Sequence, residues 1–170
     1  MSRKTIIMGI DPGLASAGWG VIEAGSDGSR LLEYGCIKTP RGPAAPRLEK
    51  IYGGISELAA RFSPAEASVE ELFFAKNTKS AMDVAQARGA IILALRHSGI
   101  RVEGYTPLEI KQALVGYGRA SKQQVQYMVR QFLGVKEIPR PEHAADALAA
   151  ALCHAGSRKL KSALSGSSRD

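Results

Sequence analysis

In the first third of the chain, apolar residues fall in short runs broken by turn formers. Ile6 to Asp11 is almost wholly apolar and stops at Asp11-Pro12-Gly13, a strong breaker. Ala17 to Ala24 follows, with Trp19, Val21 and Ile22, and Gly25-Ser26-Asp27-Gly28-Ser29 then turns the chain into Leu31 to Lys38. Three strands in succession with short turns predict an antiparallel meander. Pro40, Gly42, Pro43 and Pro46 mark a loop, after which the period changes. Leu48, Ile51, Tyr52, Ile55, Leu58, Ala59 and Phe62 recur at three and four residues, the stripe of an amphipathic helix that Ser63-Pro64 closes. The pattern further predicts strands at Ala67 to Leu72 and Val102 to Tyr105, and helices at Ser80 to His97 and Pro107 to Val115. Ser121 is placed to cap a helix over Lys122 to Leu133, and Pro139 and Pro141 introduce a last helix, His143 to Ala155. From Gly156 on, serines and mixed charge predict a disordered basic tail, giving one domain over residues 1–155 and a tail over 156–170.

Hairpin strands followed by strand–helix alternation predict an α/β fold. It has one five-stranded mixed sheet, three antiparallel strands then two parallel, flanked by helices. Such a sheet opens a crevice at the ends of its central strands.

Composition narrows the class. Over 170 residues, 45% apolar and 23% charged is a globular balance, against a disordered or fibrous chain. Apolar runs fall short of the roughly 18 residues a membrane helix needs, and the apolar stretch after Met1-Ser2-Arg3-Lys4 is too short for a secretory signal. A cytoplasmic protein is expected. Two cysteines, Cys36 and Cys153, cannot build a disulfide framework or a Cys-rich zinc site.

The formal charge of +7 is unevenly spread. Lys76 to Lys122 carries eight bases against three acids, and the last fifteen residues carry four bases against one acid. A polyanionic partner suits this pattern, and so does a scatter of solvated lysines; charge alone does not decide.

Three acidic positions stand out because their neighbours would bury them. Asp11 ends an apolar strand, Glu70 and Glu71 follow Val69 at the end of another, and Asp146 lies in a helix built almost entirely of Ala and Leu. A carboxylate in such surroundings costs several kcal/mol of desolvation unless it is paired or metal-bound. Singly, each has an ordinary alternative: Asp-Pro-Gly is a common turn, one of two adjacent strand residues faces solvent, and Asp146 can serve the helix dipole. Jointly the three point to an oxygen-rich divalent cation site. His143, three residues before Asp146, shares its helix face. His97 and His154 have no such company and read as structural.

Two glycine patterns fail. Gly13 and Gly18 have the outer spacing of a phosphate-binding loop, but Trp19-Gly20 stands where Lys-Ser/Thr belongs. Gly116 and Gly118 follow a helix rather than a strand. Phe73-Phe74, after the acidic pair and before Ala75-Lys76-Asn77, is different: aromatics there can stack on unpaired bases, worth ~1–3 kcal/mol each. A core pair capping the following helix is the plainer use.

Taken in order, these blocks resemble the RuvC family of Holliday-junction resolvases. The resemblance rests on Gly9-Ile10-Asp11-Pro12-Gly13, on Val69 to Asn77, on Gln86-Ala87-Arg88-Gly89 and on Lys111 to Gly116. It continues through Lys122, Val125-Gln126 and Met128-Val129, and ends with His143-Ala144-Ala145-Asp146-Ala147-Leu148-Ala149. It implies a ribonuclease-H-like fold and a nuclease that resolves four-way DNA junctions in recombination and repair by paired, metal-dependent hydrolysis of two opposed strands. It implies Mg²⁺, two ions per site with Mn²⁺ as a substitute, a homodimer, and a branch-migration helicase complex as partner. By position, Asp11, Glu70, His143 and Asp146 correspond to metal ligands and, with Lys122, to the catalytic set. Phe73, Lys111 and Lys122 correspond to residues that meet the DNA, and Phe74, Lys76, Lys79 and Arg119 are expected to bind DNA beside them. His143 stands where some members have Asp, and Glu71 is left out of the set. The Ser80-to-His97 helix, with Ala81, Ala85 and Gly89, is the expected dimer face. Another ribonuclease-H-like nuclease acting on RNA or branched DNA, or a non-catalytic binding module, are the alternatives.

Overall fold

The computed structural model describes residues 4–72 and 78–166. Among them the elements run β1 (Thr5–Asp11), β2 (Ser16–Gly25), β3 (Gly28–Lys38), α1 (Ala44–Phe62), β4 (Glu66–Glu70), α2 (Thr78–His97), β5 (Arg101–Tyr105), α3 (Pro107–Val115), α4 (Lys122–Leu133) and α5 (Glu142–Gly166). The sheet order is β3-β2-β1-β4-β5, antiparallel through β3, β2 and β1, then parallel through β1, β4 and β5. This is the mixed five-stranded sheet the strand pattern predicts.

Alternation along the strands divides two cores. Met8, Ile10, Trp19 and Val21 face α1 and α2, where Ile51, Ile55, Ile91 and Leu95 cover them. Ile7 and Ile22 face the other way, against Ile110, Leu114, Val125, Val129 and Leu148 of α3, α4 and α5. Burying each such aliphatic side chain contributes ~1.5–3 kcal/mol.

Local chemistry sets the helix bounds. Thr106 caps α3 in a reciprocal capping box with Glu109, and Pro107 occupies the first turn. Ser121 and Gln124 make the same box on α4, and Gly134 ends it at φ 62°.

The largest departures from the expected bounds are at two helices, while β4 ends at Glu70, two residues short of Leu72. Helix α1 begins at Ala44, with Pro46 inside its first turn, where a missing N–H breaks no helical bond. The last helix does not stop at Ala155 but runs to Gly166, so the tail expected to be disordered is helical as far as the described residues extend. Glycine at 156 weakens a helix by about 1 kcal/mol relative to alanine, which an anchored helix tolerates. The anchor is Arg158, whose Nε lies 2.5 Å from the carboxylate of Glu66 in β4. Among the described residues no helix is long and apolar enough to cross a membrane.

Candidate active site

Asp11 and Glu70 end adjacent parallel strands, Ile10 standing opposite Val69 in the register. Both carboxylates therefore emerge at the same end of the sheet and on the face that α5 covers. Helix α5 enters there through its first turns, which carry His143 and Asp146.

What brings α5 so close is a set of glycines. A Cβ at Gly9 would collide with the backbone of Ala147 and Ala151, and one at Gly18 with the carbonyl of His143; one at Gly20 would meet the Leu148 side chain. Glycine in β1 and β2 lets the helix rest directly on strand backbone. The seat holds the first turns of α5 against the end of β1.

The four residues converge. Asp11, His143 and Asp146 each offer a ligand atom, and these atoms lie within 4.8 Å of one another. His143 Nδ1 is 2.8 Å from Asp11 Oδ2. Glu70 lies beside them, its carboxyl hydrogen-bonded to that of Asp11 and pushed up to about 8 by burial first and by the charge of Asp11 next. The hydrogen bond to Asp11 raises the His143 imidazole above its usual value. Burial likewise raises Asp146.

Lys122, from the first turn of α4, reaches across with Nζ 3.1 Å from Asp146 Oδ2 and 2.6 Å from Glu142 Oε1. Burial works against its charge, yet hydrogen bonds to Glu142 and Asp146 raise its pKa overall. Lys111 joins Glu70, Lys122 and Asp146 in lining a cleft of about 240 Å³ floored by Ile110, Val125 and Ala149.

Other positions named from sequence lie elsewhere. Arg119 is exposed in the loop before α4, and Lys79 is exposed in the first turn of α2. Phe73, Phe74 and Lys76 lie outside the described residues. Glu71 turns away from the cluster and lies over Gly104 of β5. Glu142, four residues before Asp146 on one helix face, is a partner of Lys122 that sequence reading missed; its spacing was the available signal.

The donor set fits a divalent cation. Carboxylate oxygens and one imidazole suit Mg²⁺ or, with the nitrogen, Mn²⁺. Buried carboxylates this close repel one another, as the raised Glu70 pKa records, and a bound cation relieves that repulsion.

Comparison with known proteins agrees with this geometry. A family model described as crossover junction endodeoxyribonuclease RuvC matches residues 7–154. The crossover junction endodeoxyribonuclease RuvC of Moorella thermoacetica is 55% identical over 151 residues, covering 88% of this chain and 90% of that protein. The protein of the same name from Rubrobacter xylanophilus is 48% identical over 161 residues, 94% of this chain and 90% of its own. Among solved structures, T. thermophilus RuvC in complex with Holliday junction substrate superposes with a TM-score of 0.87 at 42% identity, covering 92% of this chain and 96% of that one. The yeast mitochondrial Holliday junction resolvase shares the fold, with a TM-score of 0.62 at 12% identity over 91% of this chain and 81% of that one.

Proposed function

Because the chain belongs to the RuvC family of crossover junction endodeoxyribonucleases, we propose that it resolves four-way DNA junctions by metal-dependent phosphodiester hydrolysis in two opposed strands. The observation that carries this reading is the crowding of Asp11, Glu70, Asp146 and His143 at one crevice, with Lys122 alongside. A non-catalytic DNA-binding module has no use for mutually repelling, half-buried carboxylates. Cytoplasmic action beside a branch-migration helicase belongs to the same reading.

Asp11, Glu70, Asp146 and His143 would hold the divalent cations, Mg²⁺ with Mn²⁺ as a substitute. When bound, such ions polarise the scissile phosphate, make the attacking water nucleophilic and stabilise the departing 3′ oxygen. The protein's share is positioning and charge. Asp11 orients the His143 ring through its hydrogen bond. Asp146 and Glu142 hold the Lys122 ammonium at the cleft, from which it offsets charge developing on the phosphoryl oxygens. Lys111, on the cleft wall, and Arg119 and Lys79, both exposed, are proposed to meet the DNA backbone, whose phosphates attract such bases. Phe73 and Phe74, with Lys76, are proposed to stack and hold unpaired bases at the branch point. Incubation with a labelled junction and Mg²⁺ tests the proposal: cutting is expected, and no cleavage of any branched DNA with Mg²⁺ or Mn²⁺ contradicts it.

Cation binding must displace protons. With its carboxyl raised to about 8, folded Glu70 keeps a proton that its unfolded form, near the ordinary 4.5, has already released. The folded state then binds more protons than the unfolded one, so in metal-free protein this site loses stability as pH rises between those values. The same proton, and that of His143, competes with the cation, so affinity rises with pH. The half-maximal Mg²⁺ concentration for cleavage should fall several-fold between about pH 6.5 and about pH 8.5, and Mg²⁺ should raise the melting temperature more at the higher pH. A half-maximal concentration constant with pH contradicts this.

A homodimer would present two such sites to a two-fold junction. Its proposed face is α2, where Met82 (65% exposed), Ala85, Gly89 and Leu93 (50% exposed) line one side. The spacing repeats like a helix–helix seam, and a Cβ at Gly89 would meet nothing within 4 Å, leaving room for a close partner. Leu93→Glu should weaken dimerisation by about a hundredfold or more in sedimentation, since both copies lose a buried leucine and gain a charge, while the monomer keeps its fold.

A further inference from the structure

Helix α5 meets β1 and β2 mainly through small residues, with Leu148 over Gly20 as the one larger side chain seated against a glycine. Ala147 and Ala151 rest on Gly9, and the His143 backbone rests on Gly18. Such contacts fix how deep the helix lies but resist sliding along its axis only weakly, because small residues interlock little. Yet the site requires Asp146 and His143 to stop at one axial position beside Asp11 and Glu70.

A buried polar cluster lies at the other end of the contact. His154, 3% exposed, places Nε2 2.6 Å from Glu66 Oε2 and Nδ1 2.8 Å from the Tyr105 hydroxyl. Burial lowers the imidazole pKa, which favours the neutral ring. One tautomer then serves both contacts: Nε2–H donates to the Glu66 carboxylate, and Nδ1 accepts from Tyr105. Burial pushes the Glu66 carboxyl up, but the His154 hydrogen bond and the charge of Arg158 outweigh it and hold it below the usual range. Arg101 Nη2, 3.2 Å from Glu66 Oε1, completes the set. Every bond in it is directional, and both ring nitrogens of His154 are used.

Glu66 and Glu70 stand on the same strand and the same face, four residues and about 13 Å apart. Asp146 and His154 stand on one helix, eight residues and about 12 Å apart. The helix runs antiparallel to β4, so the two lengths match, with the polar cluster at one end and the carboxylate cluster at the other. We propose that Glu66, His154 and Tyr105 form a buried pin that fixes the axial register of α5, and thereby the placement of Asp146 and His143 against Asp11 and Glu70. His154 is on this account a positioning residue, touching neither substrate nor cation; the inference rests on the reading of the carboxylate cluster as a cation site.

The test is Mn²⁺ binding to the DNA-free protein, followed by electron paramagnetic resonance. His154→Phe keeps the volume and removes both hydrogen bonds, and should weaken Mn²⁺ binding roughly tenfold, the usual cost of losing a group that orients ligands. His154→Gln restores a donor and an acceptor and should recover most of that loss. Ile91→Val, in the core on the opposite face of the sheet, lowers the melting temperature without touching the pin and should leave Mn²⁺ binding unchanged. If His154→Phe fails to fold, Tyr105→Phe carries the test, with a loss of about threefold expected from one missing hydrogen bond. Wild-type affinity in folded His154→Phe or, where that variant does not fold, in Tyr105→Phe, or an equal loss in Ile91→Val, overturns the pin. A wild-type protein that binds no Mn²⁺ overturns instead the reading of the site.

Discussion

Asp11→Asn should abolish strand cutting, lowering the rate by about a thousandfold or more, while junction binding stays within about twofold. The substitution keeps the shape of the side chain and removes one charge from the centre of the cluster. Asp11 touches two of the other three: it accepts from His143 at 2.8 Å and shares a hydrogen bond with Glu70. Without that charge the donor set loses attraction for a divalent cation, His143 loses the anionic acceptor that raises its pKa, and the Glu70 carboxyl falls only part of the way, because burial is the first cause of its rise. Binding is expected to survive because the basic groups proposed to meet phosphate, Lys111 and Lys122 among them, are untouched. Gel-shift and single-turnover cleavage on the same junction separate the two effects. Full-rate cutting contradicts the assignment of Asp11.

Gly18→Ala should reduce cutting by about a hundredfold, by displacing residues it does not replace. The backbone conformation at Gly18 is ordinary for a strand, so alanine meets no torsional penalty there. Its methyl, however, would overlap the His143 carbonyl oxygen, and backbone cannot swing aside as a side chain can. Helix α5 must lift or shift at the turn that carries His143 and Asp146, and overpacking of this kind costs about 1–3 kcal/mol. Gly20→Ala should be milder, because the atoms in the way, Cδ2 and Cγ of Leu148, belong to a side chain rather than to backbone. Gly53→Ala in α1 meets nothing within 4 Å and should be neutral or stabilise by about 1 kcal/mol. Cleavage rates and melting curves of the three variants give the comparison; equal activity in Gly18→Ala and Gly53→Ala contradicts the glycine seat.

Legibility in the sequence followed the range of the interaction that fixes each feature. Helices α3 and α4 match their expected bounds because their signals are local: Thr106-Pro107 with Glu109, and Ser121 with Gln124. The strand directions followed from short turns between β1, β2 and β3 and from helices between the parallel strands. The four residues now gathered at the crevice were legible as acids in apolar surroundings, with a histidine at helical spacing. The extension of α5 was not, because the ion pair that ties Arg158 to Glu66 joins residues far apart in the chain. For the same reason His154 reads as a lone histidine until Glu66, 88 residues earlier, is placed against it. The glycines at 9, 18 and 20 carry no sign of what rests on them. Cys153 is buried, and burial pushes its thiol up to about 11.

Strand-resolved cleavage of a mobile four-way junction, with each strand labelled in turn, separates junction resolution from general nuclease action. With Mg²⁺ present, the expected result is paired nicks at symmetric positions in two opposed strands, no incision of a linear duplex of the same sequence, and no product after chelation. Equal cutting of the linear duplex, or incision that persists without a divalent cation, contradicts a two-fold enzyme built on Asp11, Glu70, His143 and Asp146.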